Sequence, residues 1–160
     1  MSHSAQGKKN IYIGTITTAI PRLKISQSFI KTFLLKHFNH LLSSRNNFLL
    51  HKIFDHPSIQ TRYLAFDNIS AMQKIHLENQ EQKIARFTKW AILLSKKAIL
   101  KALRQSQVKT QDIIGIVINT CTGYICPGLS TYLIEALKLD PHIQAYDLVG
   151  SGCKIGRAHV

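Results

Sequence analysis

The sequence predicts an α/β fold in which helices cover a sheet, and three observations predict it. The run Ile113-Ile114-Gly115-Ile116-Val117-Ile118 is apolar and β-branched with no polar alternation, as a central strand covered on both faces reads. Residues 143–149 read as a second, short apolar run that forms a buried strand. Helical periodicity fills 84–103 before the first run and 129–139 between the two. Ligands in such sheets gather beyond the carboxyl ends of the strands, here residues 120–126 and 150–153.

A chain of 160 residues with 45% hydrophobic residues has enough apolar side chains for a packed core. No apolar run is long enough to span a bilayer. Residues 1–10 are polar, lack the apolar segment of a secretory signal and read as a loose tail. Cys121, Cys126 and Cys153 do not make a disulfide framework, so a reducing cytoplasm fits. Four residues separate Cys121 from Cys126 and no histidine stands near, which argues against a metal half-site. The net charge of +13 is scattered, with no run beyond Lys8-Lys9 and Lys96-Lys97. A diffuse basic surface reads as a solvated face, or one that attracts an anionic substrate. A basic nucleic-acid-binding protein is the alternative of another class, and it would concentrate its charge on one face.

In chain order, Ile11-Tyr12-Ile13-Gly14-Thr15 reads as a short strand closed by glycine. Pro21 breaks the chain, and Ser26 or Ser28 caps a helix on which Ile30, Phe33, Leu34, Phe38, Leu41 and Leu42 recur at helical spacing. Residues 43–57 read as irregular and basic, and 58–63 as a loop or edge strand. Residues 67–82 read as a polar helical excursion. The helix at 84–103 carries a wide apolar arc with Trp90 in the core and Lys96, Lys97 and Lys101 at its edge. Residues 120–128 form a loop of small and turn-forming residues, and the helix at 129–139 must end before Pro141.

Asp147-Leu148-Val149-Gly150-Ser151-Gly152-Cys153 organises the rest. A buried strand ends in small residues, and a cysteine stands where a helix should begin. Unpaired N–H groups and the positive end of a helix dipole favour a thiolate there, which makes Cys153 a candidate nucleophile. Ile155-Gly156-Arg157-Ala158-His159-Val160 is what ATC GGA AGA GCA CAC GTC encodes, a string that resembles a sequencing adapter. Residues 154–160 are therefore expected to be non-native, and the natural chain to run on past Cys153. Removing Lys154 and Arg157 leaves the rest strongly basic.

Asn119-Thr120-Cys121-Thr122-Gly123-Tyr124-Ile125-Cys126-Pro127-Gly128-Leu129, followed by a helix and then by residues 147–153, resembles the N-terminal half of the type III polyketide synthases, the chalcone and stilbene synthase family. The resemblance is specific in the last thirty-five residues or so before Lys154 and looser from Ile11 onward, where residues 21–27 and Arg62-Tyr63 resemble early family segments. It implies a thiolase-like, layered αβαβα fold, of which 11–153 would be the N-terminal part only, and a homodimer. It implies an acyltransferase that uses acyl-CoA and malonyl-CoA as substrates and needs no cofactor. Cys153 matches the catalytic cysteine, which holds the starter acyl group as a thioester. A thiolate suits this because it is both nucleophile and leaving group. The histidine and asparagine that hold the developing oxyanions in the family lie downstream of the residues present. Cys121 and Thr122 match positions lining the starter cavity, and Cys126 one that reaches the partner's cavity. Lys52 and His56 match basic residues that bind the CoA phosphates. A ketoacyl synthase III-type condensing enzyme of fatty-acid synthesis shares the strand-to-cysteine corner and is the nearer alternative. Cys126-Pro127-Gly128 favours the polyketide branch.

Overall fold

The computed structural model describes residues 11–122 and 124–150. Cys153 and the suspect residues 154–160 lie outside the described residues, as does the tail at 1–10. The elements run β1 (Leu23–Ser26), α1 (Gln27–Phe38), α2 (Ser44–Phe54), β2 (Thr61–Leu64), α3 (Ile69–Gln73), α4 (Gln80–Ser106), β3 (Gly115–Thr120), α5 (Leu129–Leu137) and β4 (Gln144–Val149). The mixture of helix and sheet is the α/β class that the sequence predicts.

Two small sheets divide the strands. β1 and β2 pair antiparallel, with Leu23 opposite Leu64 and Ser26 opposite Thr61. Ser26 ends β1 and caps α1, its hydroxyl accepting from Phe29 N–H at 3.1 Å. Ile25, Ile30, Phe33 and Met72 form the core here, with Leu34, Phe54, Leu64 and Phe66 packed on it. β3 and β4 pair parallel, from Gly115 opposite Gln144 to Thr120 opposite Val149. α5 crosses between them, as a parallel pair requires. Leu133, Leu137 and Leu139 form the second core, against Ile92 and Ile99 of α4 and Ile116 and Ile118 of β3.

Several expectations change. Residues 11–15 are not a strand. A strand needs an edge for its N–H and C=O groups, and no described strand runs beside them. The segment is instead tied to α4 by side chains: Thr17 Oγ1 donates to Ala98 O at 2.8 Å, and Thr15 Oγ1 lies 3.4 Å from Gln105 Oε1. Residues 43–57 are not irregular. Ser43 accepts from Asn46 N–H at 3.2 Å and starts α2, which buries only Leu50 and so carries a weak apolar stripe. α4 starts earlier than its apolar arc, because Asn79 and Gln82 form a capping box. Of the residues on that arc Trp90 is buried, while Ile92, Leu94 and Ile99 are half-buried.

The sheet of β3 and β4 is covered on one face, not two. Ile116 and Ile118 turn to α5 and the Leu133 core. On the other face Val117 is 63% exposed, Tyr146 opposite it 55% and Leu148 41%. No described element lies over these residues.

Candidate active site

The parallel register brings the two strand ends together. Gly150 follows β4 with φ +70°, a conformation glycine adopts without strain. Its N–H donates to Thr120 O at 3.3 Å, one step past the ladder. Thr120 then turns the other chain: its Oγ1 donates to Thr122 O at 2.8 Å and accepts from Thr122 N–H at 3.2 Å. The stretch that leads to Cys153 therefore leaves from beside Thr120, although Cys153 itself is outside the described residues.

A cavity of about 380 Å³ opens at this end, lined by Thr120, Tyr124, Ile125, Cys126, Asp147 and Val149 among others. Cys126, whose peptide bond to Pro127 is cis, is exposed into it. Cys121 and Thr122 are exposed at the end of β3 and are not among the lining residues. Position along the loop explains this placement, since Cys121 and Thr122 leave β3 directly while Cys126 sits where the loop returns to α5.

Asp147 is the residue that sequence reasoning missed. It turns from β4 toward the start of α5, where its two carboxylate oxygens accept from Ser130 N–H at 3.2 and 3.3 Å. Ser130 Oγ also donates to Oδ2. Gly128, the residue before α5, has no side chain to cap that helix. A Cβ on Gly128 would overlap Asp147 Oδ2. The available signal was a carboxylate within an otherwise apolar strand run, a placement that burial penalises without partners.

A second cavity of about 470 Å³ lies between α2 and the chain entering β2. The structure brings Lys52 and His56 together there, with Leu49, Ile53 and Ile59 as apolar walls. Arg62 joins them, a further basic residue to which the sequence assigns no site role. His56 Nδ1 accepts from Ser58 N–H at 3.3 Å. Arg62 Nε donates to Gln27 Oε1 at 2.8 Å.

No protein-family model matches the chain. Over 104 residues, 65% of its length, it is 30% identical to a 3,5-dihydroxyphenylacetyl-CoA synthase of Streptomyces toyocaensis, of which it spans 27%. Over 156 residues it is 29% identical to the probable polyketide synthase 1 of Dictyostelium discoideum, of which it spans 5%. The chain thus spans about a quarter or less of these curated relatives. The crystal structure of PKS-I from the brown alga Ectocarpus siliculosus superposes on 86% of the chain and 39% of its own, with a TM-score of 0.71 at 17% identity. That likeness shows the thiolase-like fold. By sequence over the matched segment, and by fold over most of its length, the chain is similar to polyketide synthases.

Proposed function

We propose that this chain is the N-terminal part of an acyltransferase of polyketide biosynthesis, with Cys153 as its nucleophile. The Cys153 thiolate attacks the carbonyl of an acyl-CoA starter. The carbon–sulfur bond to CoA breaks, and CoA leaves as the thiolate. Malonyl-CoA then loses CO2, and the electron pair left on its α-carbon attacks the thioester carbonyl and expels Cys153. Both steps build negative charge on carbonyl oxygens, which demands hydrogen-bond donors at the site. His142 stands before β4, at the end of the strand away from Gly150, and His37, His40, His51, His56 and His76 all precede α4 in the chain. None of these is assigned as the donor, which we place in the sequence beyond Cys153.

Cys126, Cys121 and Thr122 would border the acyl chain. Lys52 and His56 would hold the CoA phosphates, and a lysine suits a phosphate as a point charge. The enzyme would work as a homodimer in the cytoplasm, with no dissociable cofactor. Residues 154–160 would be replaced by native sequence. The observation that carries the reading is the hydrogen bond from Gly150 N–H to Thr120 O, which joins the path to Cys153 to the loop bearing Cys126.

Amplifying the locus tests the first step: an open frame ending naturally at Val160 refutes the N-terminal-part reading. The polypeptide of the complete frame is then given an acyl-CoA with malonyl-CoA, or with malonyl carrier protein. Product from malonyl-CoA, lost in Cys153→Ala, is expected. Use of the carrier-bound form alone would favour fatty-acid condensation instead.

A further inference from the structure

We infer that Asp147 is a positioning residue, whose carboxylate fastens the Cys126-Pro127-Gly128 turn and the start of α5 to the strand leading to Cys153. This role rests on the condensing reading above. Three observations carry it independently. Asp147 accepts from both the backbone N–H and the hydroxyl of Ser130, so one side chain of β4 holds the first turn of α5 from two directions. α5 has no cap of its own, because Gly128 stands at the cap position, and an acceptor from β4 takes that place. Gly128 leaves room for that carboxylate and for no methyl group.

The consequence is geometric. Asp147 lines the same cavity as Cys126, on the strand that reaches Gly150 three residues later. Cys126 lies two residues before Gly128, on the turn that Asp147 holds. The distance between the wall of the cavity and the path to Cys153 is therefore held in part by this carboxylate, beside the hydrogen bond from Gly150 to Thr120. A change in that distance alters how much growing chain the cavity accepts, which shows as a change in the proportion of products and not only in their amount.

The test uses the full-length polypeptide and the variants Asp147→Ala, Asp147→Asn and Gly128→Ala. Amide exchange at Ser130 should quicken about fivefold in Asp147→Ala, the size of a lost helix cap, while α4 stays unchanged. Asp147→Asn keeps an oxygen acceptor and should lose less. With hexanoyl-CoA and malonyl-CoA, Asp147→Ala should shift the ratio of shorter to longer products, and Asp147→Asn should return it toward the original. Gly128→Ala should shift the ratio in the original background and add nothing to Asp147→Ala, since the methyl group then meets no carboxylate. Unchanged exchange at Ser130 overturns the lock. Quickened exchange with an unmoved product ratio overturns the positioning role and leaves the condensing reading standing. No product from the unaltered polypeptide overturns the condensing reading, and the positioning role with it.

Discussion

Arg62 Nε donates to Gln27 Oε1 at 2.8 Å and joins the start of β2 to the first residue of α1. Gln27 is 4% exposed, and its backbone N–H donates to Gln60 O at 2.8 Å, so one residue ties down the other strand of the sheet twice. Its Nε2 is buried without a partner among the described residues. Removing Arg62 would leave the oxygen unpaired as well, and a buried polar group left unsatisfied costs about 1–3 kcal/mol. In the full-length polypeptide Arg62→Leu should lower the unfolding free energy read from the urea midpoint by that amount, and Gln27→Leu by less, because Arg62 can turn to water in the cleft. Equal midpoints for Arg62→Leu and the original chain would show that the bond contributes nothing.

Leu133 is the one fully buried large side chain among the described residues, at 0% exposure, and it joins α5 to α4 and β3. Leu133→Ala removes apolar contact and leaves a cavity where several elements meet, at a cost of about 2–5 kcal/mol. That is a large fraction of what a domain of this size holds in reserve. Leu133→Met, which keeps the volume, should cost well under half as much in the same denaturation experiment.

Glu78 gives a dependence on pH. Arg86 donates to both of its oxygens, at 2.8 to 3.2 Å, and this hydrogen bonding holds the Glu78 carboxyl below its ordinary 4.5. The folded value is depressed, so the contribution is fully present above the unfolded value and is lost as pH falls through the folded one. Stability should therefore decline as acid is added from about pH 5 downward. Glu78→Gln should flatten part of that decline by lowering stability at neutral pH, so that the two chains converge in acid. An identical acid limb in the variant would remove the pair from the account.

What the sequence showed follows from what each element buries. β3, α5 and β4 were legible because their apolar runs are long and sharply bounded. α2 was not, since it buries Leu50 alone and its signal is the cap at Ser43. The strand reading at 11–15 failed because a run such as Ile11-Tyr12-Ile13 records a capacity to pair, and pairing depends on a neighbour supplied from elsewhere. In the site, Cys126, Lys52 and His56 stand out by type and position, and the structure places Cys126 at one cavity and Lys52 and His56 at the other. Asp147 and Arg62 do not, since each is defined by its partner, Ser130 and Gln27, across 17 and 35 residues of chain.

The reading of residues 113–118 as covered on both faces leads to the last prediction. β3 carries apolar residues on both faces, yet in this chain Ile116 and Ile118 are packed while Val117 is exposed. Val117 stands opposite Tyr146 and Asn119 opposite Leu148, so the open face is continuous across both strands. Contiguous apolar surface of this kind drives association. The 160-residue chain should bind the dye ANS and sediment as aggregate. Val117→Lys with Leu148→Lys should suppress both while leaving the far-ultraviolet circular dichroism unchanged, because neither side chain enters a core. Ile118→Lys, one position along the same strand but turned to the Leu133 core, should unfold the chain instead. The two substitutions separate a face that lacks a cover from one that has it, and a dispersed, dye-silent original chain would show that the open face drives no association.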